Sequence, residues 1–310
     1  MQIYLPIAEM PINLIVVITL GMAVGFLSGV FGIGGGFLAT PFLMFIGIPP
    51  AIAVATSTNQ IVASSFSGLL SQFRRGGVDV KIGIFMILGG MAGAFLGITI
   101  FKSLQETGQI DVVVPIIYVI FLGSIGLAMF VNSIKELIHK KYDIKWESKE
   151  NEELSKFSRF IHKLPFKVYF PKSEIEISVL LPIVLSFCIG ILVVLMGIGG
   201  GFLIIPAMIY ILKMPSNVVI GTSLFQIIFI ASVATFLQAV TTNNLDILLS
   251  IIMIAGASFG AQAGSKVGYK INAQDTKVFL SILILGVCVN MLFTLFNTPE
   301  SLYMVEMIKS

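Results

Sequence analysis

Two glycine clusters are the residues of this chain best suited to hold a ligand. Gly32, Gly34, Gly35 and Gly36 lie in GIGGGFLATP (32–41), and Gly197, Gly199, Gly200 and Gly201 lie in GIGGGFLIIP (197–206), with eight of ten positions identical. Consecutive glycines break a helix, accept positive φ and let backbone approach a neighbour closely. Each cluster stands between a long apolar run and a short one. Its N–H groups can therefore line a cavity, with the positive end of the following short helix aimed at the same point. Backbone donors at a helix N-terminus bind an anion without any basic side chain. A nucleotide-type phosphate loop is the poorer reading, because no lysine follows either cluster. Gly89, Gly93 and Gly97, like Gly256, Gly260 and Gly264, recur every four residues, the spacing of close helix–helix packing.

The second candidate is the polar stretch Thr56, Ser57, Thr58, Asn59 and Gln60, echoed by Thr222, Ser223 and Gln226. Polar residues inside an apolar helix are costly unless they face a partner or water. These carry hydroxyl and amide donors that can select an anion by geometry. Hydrogen bonding between helices, worth about 0.6 kcal/mol per contact, is the competing role. It is the better one for Ser64, Ser65, Ser67, Gln72, Ser232, Thr235 and Gln238.

No Asp, Glu, Lys, Arg or His falls in the middle of an apolar run. Asp79, Asp246, Arg74 and Arg75 fall at helix ends and read as solvated topology signals. A proton pump would show a buried carboxylate, and a cation carrier would show more acidic lining. No nucleophile–base pair or metal-ligand cluster lies at membrane depth, so neither catalysis nor a cofactor is expected. Cys188 and Cys288 read as filling, and His139 and His162 as solvated.

These residues need elements to position them, and composition says which. Of 310 residues 56% are hydrophobic and 11% charged, against about 25% charged in soluble domains. That excludes a cytosolic enzyme, a nucleic-acid-binding protein and a disordered chain, and indicates a polytopic membrane protein. A spanning helix takes about 20 apolar residues. Such runs occur near 12–30, 51–72, 82–101, 112–134, 177–196, 216–240, 247–266 and 276–296, with shorter ones at 36–47 and 201–212. Residues 1–11 lack the basic start of a cleaved signal, so 12–30 is expected to be a retained helix.

Between the two sets of five lies a charged segment, 135–176, with ten Lys/Arg and eight Asp/Glu. It is expected to be cytoplasmic, with a short amphipathic helix near 151–164. Arg74, Arg75, Lys81, Lys213 and the lysines of 266–277 then also fall inside, and both termini outside. Beyond the glycine clusters, Thr56 and Ser57 align with Thr222 and Ser223, Gln60 with Gln226, Gln72 with Gln238 and Asp79 with Asp246. Two halves of five elements must run in opposite directions. The expected fold is an all-α polytopic membrane protein with about ten elements in two inverted repeats, 1–134 and 177–310. In transporters of this architecture the substrate sits where the repeats meet.

The doubled GxGGGFLxxP segment, followed by a Pro and a Thr-Ser pair at the next helix, resembles the TauE/SafE family of anion transporters. The resemblance covers both apolar halves and leaves out 135–176. It implies a plasma-membrane transporter for sulfite, thiosulfate, sulfonates, sulfoacetate or related organic anions, with the small anion and the bilayer as partners. Gly34, Gly35, Gly36, Gly199, Gly200 and Gly201 are the expected backbone donors. Thr56, Ser57, Asn59, Gln60, Thr222, Ser223 and Gln226 are the expected side-chain donors. A passive anion channel of the same fold is the alternative.

Overall fold

The computed structural model describes residues 2–31, 36–142, 165–199, 201–268 and 273–296. The first half opens with a hairpin of β1 (Gln2–Leu5) and β2 (Met10–Asn13), followed by helices α1 (Leu14–Phe31), α2 (Gly36–Phe45), α3 (Pro50–Arg74), α4 (Val80–Glu106) and α5 (Ile110–Tyr142). The second half repeats this series. Its hairpin is β3 (Lys167–Phe170) and β4 (Ile175–Ser178), and its helices are α6 (Leu180–Met196), α7 (Gly201–Tyr210), α8 (Ser216–Leu237), α9 (Ile247–Gly268) and α10 (Ala273–Phe296). A π-helical turn, Gln238–Thr242, extends α8.

The helices follow the apolar runs closely, and among the described residues five are long and apolar enough to cross a membrane. Their outward faces carry exposed Leu88, Phe95, Ile120, Phe259 and Phe293, an apolar surface that water would not tolerate. This is an all-α membrane protein. The 25-residue α3 has the length, but the polar run from Thr56 to Gln60 lowers its hydropathy. The short helices end where expected. After α2, Gly47 takes a φ of 91° and its N–H bonds to the Met44 carbonyl, and Pro49 and Pro50 follow.

The two halves are inverted and interleaved. α3 and α8 carry the matching Thr-Ser and Gln positions, yet they run antiparallel. Gly68 faces Leu224, Phe73 faces Phe225 at 6.0 Å between rings, and Gly77, just beyond α3, faces Gly221. The first helix of each half packs against the fourth helix of the other. Gly256, Gly260 and Gly264 of α9 lie on the backbone of Ile18, Met22 and Phe26, while Gly89, Gly93 and Gly97 of α4 lie on Ile183, Phe187 and Ile191. A side chain at any of these glycines would meet main chain, so the small-residue spacing serves packing as read from the sequence. α5 pairs with α10.

Two expectations change. The charged segment taken as 135–176 is bounded by structure on both sides, since α5 runs to Tyr142 and 167–178 form a hairpin, so the apolar run near 177–196 starts in β4. The helix expected near 151–164, and His162, lie outside the described residues. Second, Asp79 and Asp246 are not solvated: they are 2% and 0% exposed. Each caps a helix. Asp79 Oδ1 accepts from the N–H groups of Lys81 and Ile82 at 3.1 and 3.2 Å, and Asp246 Oδ1 from that of Leu249 at 3.0 Å. Satisfying these otherwise orphaned amides offsets the cost of burying the carboxylates. Arg74 and Arg75 remain exposed.

Candidate functional site

The two short helices, α2 and α7, start at their glycine clusters, and the clusters meet. A methyl group on Gly36, the first residue of α2, would stand 3.3 Å from the backbone N of Gly199 and would overlap the Ile61 side chain. One on Gly199 would lie 2.5 Å from Ile61 Cγ2. Ile61 of α3 therefore packs on both clusters, and Gln60 immediately precedes it. Gly36, Gly199 and Gly201 are buried, so the N-terminal ends of both short helices lie inside the protein. Gly34, Gly35 and Gly200 lie outside the described residues.

The junction is tied to the rest of the fold at the end of α6. Gly197 closes that helix in the left-handed region at φ 64°, with its N–H on the Val193 carbonyl. A side chain there would reach 2.7 Å from the Val54 carbonyl of α3, so close approach and positive φ both require glycine. The Met196 carbonyl just before it accepts from Thr40 Oγ1 of α2 at 3.2 Å and from the Tyr118 hydroxyl of α5. Sequence reasoning passed over Thr40 and Tyr118. Thr40 has an isoleucine, Ile205, at the matching place in the other half, and Tyr118 sits in an otherwise apolar helix. The only signal was that a buried hydroxyl needs a partner.

The side-chain candidates divide into two groups. Thr222 is occupied. Its hydroxyl accepts from the Asp79 N–H at 2.9 Å and donates to the Val218 carbonyl at 2.8 Å. Ser57 and Ser223 donate to carbonyls of their own helices, those of Ala53 and Ile220. By contrast Thr56 Oγ1, Gln60 Oε1 and Gln226 Nε2 are buried without a hydrogen-bond partner among the described residues. Asn59 is half-buried. Ser186 gives its one hydroxyl proton to the Met86 carbonyl at 2.5 Å, and Gln226 Oε1 lies 3.4 Å from the same hydroxyl oxygen. Ser186 is a further polar residue of the interior that sequence reasoning missed.

Among the described residues, Asp79 and Asp246 are the only buried charged side chains, and both are engaged by amides. The protein interior thus offers two helix N-termini where the glycine clusters meet and, among its buried side chains, the neutral donors Thr56 Oγ1 and Gln226 Nε2. Such a set can bind and orient a small anion, with no acid–base or redox group in it.

The family profile for the sulfite exporter TauE/SafE proteins matches residues 17–291. The chain belongs to the TauE/SafE family. Relatives within and near it include the probable membrane transporter protein YunE of Bacillus subtilis, 23% identical over 88% of this chain and 95% of its own length. The probable membrane transporter protein MJ0441 of Methanocaldococcus jannaschii is 26% identical over 87% of this chain and 91% of its own. The Arabidopsis thaliana sulfite exporter TauE/SafE family protein 3 is 24% identical over 40% of this chain and 27% of its own. No solved structure gives a significant match. The TauE/SafE match spans both glycine clusters and the helices from within α1 to within α10, and leaves the first hairpin outside it.

Proposed function

We propose that this chain carries small sulfur-containing or organic anions, such as sulfite, thiosulfate, sulfonates or sulfoacetate, across the plasma membrane. The anion binds where the glycine clusters meet, and one repeat moves against the other about that point. The observation that carries this reading is the pair of buried donors, Thr56 Oγ1 and Gln226 Nε2, that have no partner among the described residues, in the same interior as two helix N-termini. An unsatisfied buried polar group costs about 1–3 kcal/mol, and a bound ligand removes that cost. Gly34, Gly35 and Gly200 complete the proposed backbone donors. Thr222, Ser223 and Ser57 contribute through the shape of their helices, since their hydroxyls are engaged. In this reading the charged middle segment is cytoplasmic, the termini are outside, and 1–134 and 177–310, the latter with its hairpin, are the moving halves.

Flux measured in proteoliposomes tests it. Uptake of labelled sulfite or thiosulfate is expected to saturate and to be accelerated by the same anion trapped inside. Flux that rises linearly with concentration and carries unitary conductance would make the protein a passive channel. No anion flux by well-folded protein would overturn the reading.

A further inference from the structure

Each half begins with the same small device. Residues 2–13 (QIYLPIAEMPIN) and 167–178 (KVYFPKSEIEIS) are antiparallel hairpins of the same register, placed directly before the first helix of their half. Glu9 and Glu174 take the same left-handed conformation, at φ 51° and 52°. Leu5 and Phe170 are wholly buried, and Ile12 and Ile177 are 7% and 9% exposed. The buried faces pack into the two hydrophobic cores, Leu5 and Ile12 in one and Phe170 and Ile177 in the other.

Each hairpin also reaches across to the opposite half. The Ile7 N–H of the first donates to Asp246 Oδ2 at 3.2 Å, and Ser173 Oγ of the second donates to Asp79 Oδ2 at 2.6 Å. Both aspartates thus divide their oxygens in the same way. One oxygen caps a helix of its own half, and the other holds the foreign hairpin. Each hairpin is thus tied across the seam between the halves to a buried carboxylate.

The two places are not equal. Ser173 is matched in the first hairpin by Ala8, which has no hydroxyl. Lys81 donates from Nζ to the Tyr169 carbonyl at 3.3 Å and stands 5.5 Å from the centre of the Phe170 ring. The residue matching Lys81 in the other half is Leu248. Among the described residues the second hairpin is therefore held across the seam by a side-chain hydroxyl, an ammonium and a cation–π contact, the first by one backbone N–H.

We infer that the two hairpins are the seals of the two membrane faces, each latched on the aspartate cap of the opposite half, and that the β1–β2 seal is the looser and opens more often. Calling them seals of a transport path rests on the function proposed above. That they lift, and with unequal ease, does not.

The test is thiol labelling of purified protein in detergent, in a background with Cys188→Ala and Cys288→Ser. Single reporters Ile12→Cys and Ile177→Cys, nearly equal in burial, measure the lifting of each hairpin by their rates with a polar maleimide. Ile12→Cys is expected to react faster. Adding Ser173→Ala is expected to speed labelling at Ile177→Cys about tenfold, as loss of one charge-assisted hydrogen bond would, and to leave Ile12→Cys unchanged. Lys81→Met is expected to act in the same direction while leaving the Asp79 cap whole. Equal rates at the two reporters, or no response of Ile177→Cys to either substitution, would overturn the inference. Labelling needs no substrate, so absence of anion flux with the expected labelling would remove the transport reading and keep the latches. Normal flux with unresponsive labelling would do the reverse.

Discussion

Gly199→Ala combined with Ile61→Ala is expected to leave a folded protein that has lost at least about a hundredfold in anion affinity, about 2.7 kcal/mol. Alanine at Gly199 alone confuses two effects, because its methyl would stand 2.5 Å from Ile61 Cγ2 and overpack the junction. Shortening Ile61 makes room, so the double variant restores packing while the new methyl still covers backbone between the two clusters. Isothermal binding of sulfite and of thiosulfate, compared with the Ile61→Ala single variant, reads the difference. If the double variant binds as tightly as Ile61→Ala, the glycines serve only the approach of Ile61, and the backbone-donor site is wrong.

Leucine at Gly260 is expected to have a larger effect still, on the fold itself. A side chain there would run into the carbonyl of Met22 and the N of Phe26 on α1. Main chain has no rotamer to change, so α1 and α9 must separate. Overpacking of side chains costs about 1–3 kcal/mol, and displacing a helix along a whole seam exceeds that range. Loss of a monodisperse peak in size-exclusion chromatography is the expected result, and Gly93→Leu, against Phe187 of α6, should behave alike. Gly286 of α10 is the control. A Cβ there meets nothing within 4 Å, so Gly286→Ala should be neutral or stabilising, by up to about 1 kcal/mol from helix propensity. A Gly260→Leu protein that elutes and melts as the native one does would show that the tight α1–α9 seam is not needed.

The sequence displayed the helices and the duplication well, because long apolar runs and a ten-residue repeat leave strong local signals. The inversion followed from an odd number of elements, and the antiparallel course of α3 and α8 carries it. The hairpins were invisible for the opposite reason. Their strands are four residues long, one lies inside the charged segment, and the two copies share Tyr, Pro, Glu and Ile at only four of twelve positions. Their buried face is made by Leu5 against Phe170 and Ile12 against Ile177, a likeness of burial rather than of identity. The aspartates were misread because a charge at a helix end looks the same in sequence whether solvated or buried. What decides is the hairpin folded over it, which bonds to it from 94 or 239 positions away. The same limit hid the engagement of Thr222. Its bond to the Asp79 amide spans 143 positions, and only such a contact separates an occupied hydroxyl from the unpartnered one of Thr56.

The central claim, that a small anion binds where the glycine clusters meet, is tested most directly by thermal unfolding of the purified protein with a panel of anions, cations and neutral solutes. A ligand that binds only the folded state stabilises it by about 2.7 kcal/mol at a hundred times its Kd. Sulfite, thiosulfate or sulfonates are predicted to raise Tm with concentration, while cations and neutral analogues leave it in place. A rise confined to cations or neutral solutes, or no rise with any sulfur-containing or organic anion, would contradict the account.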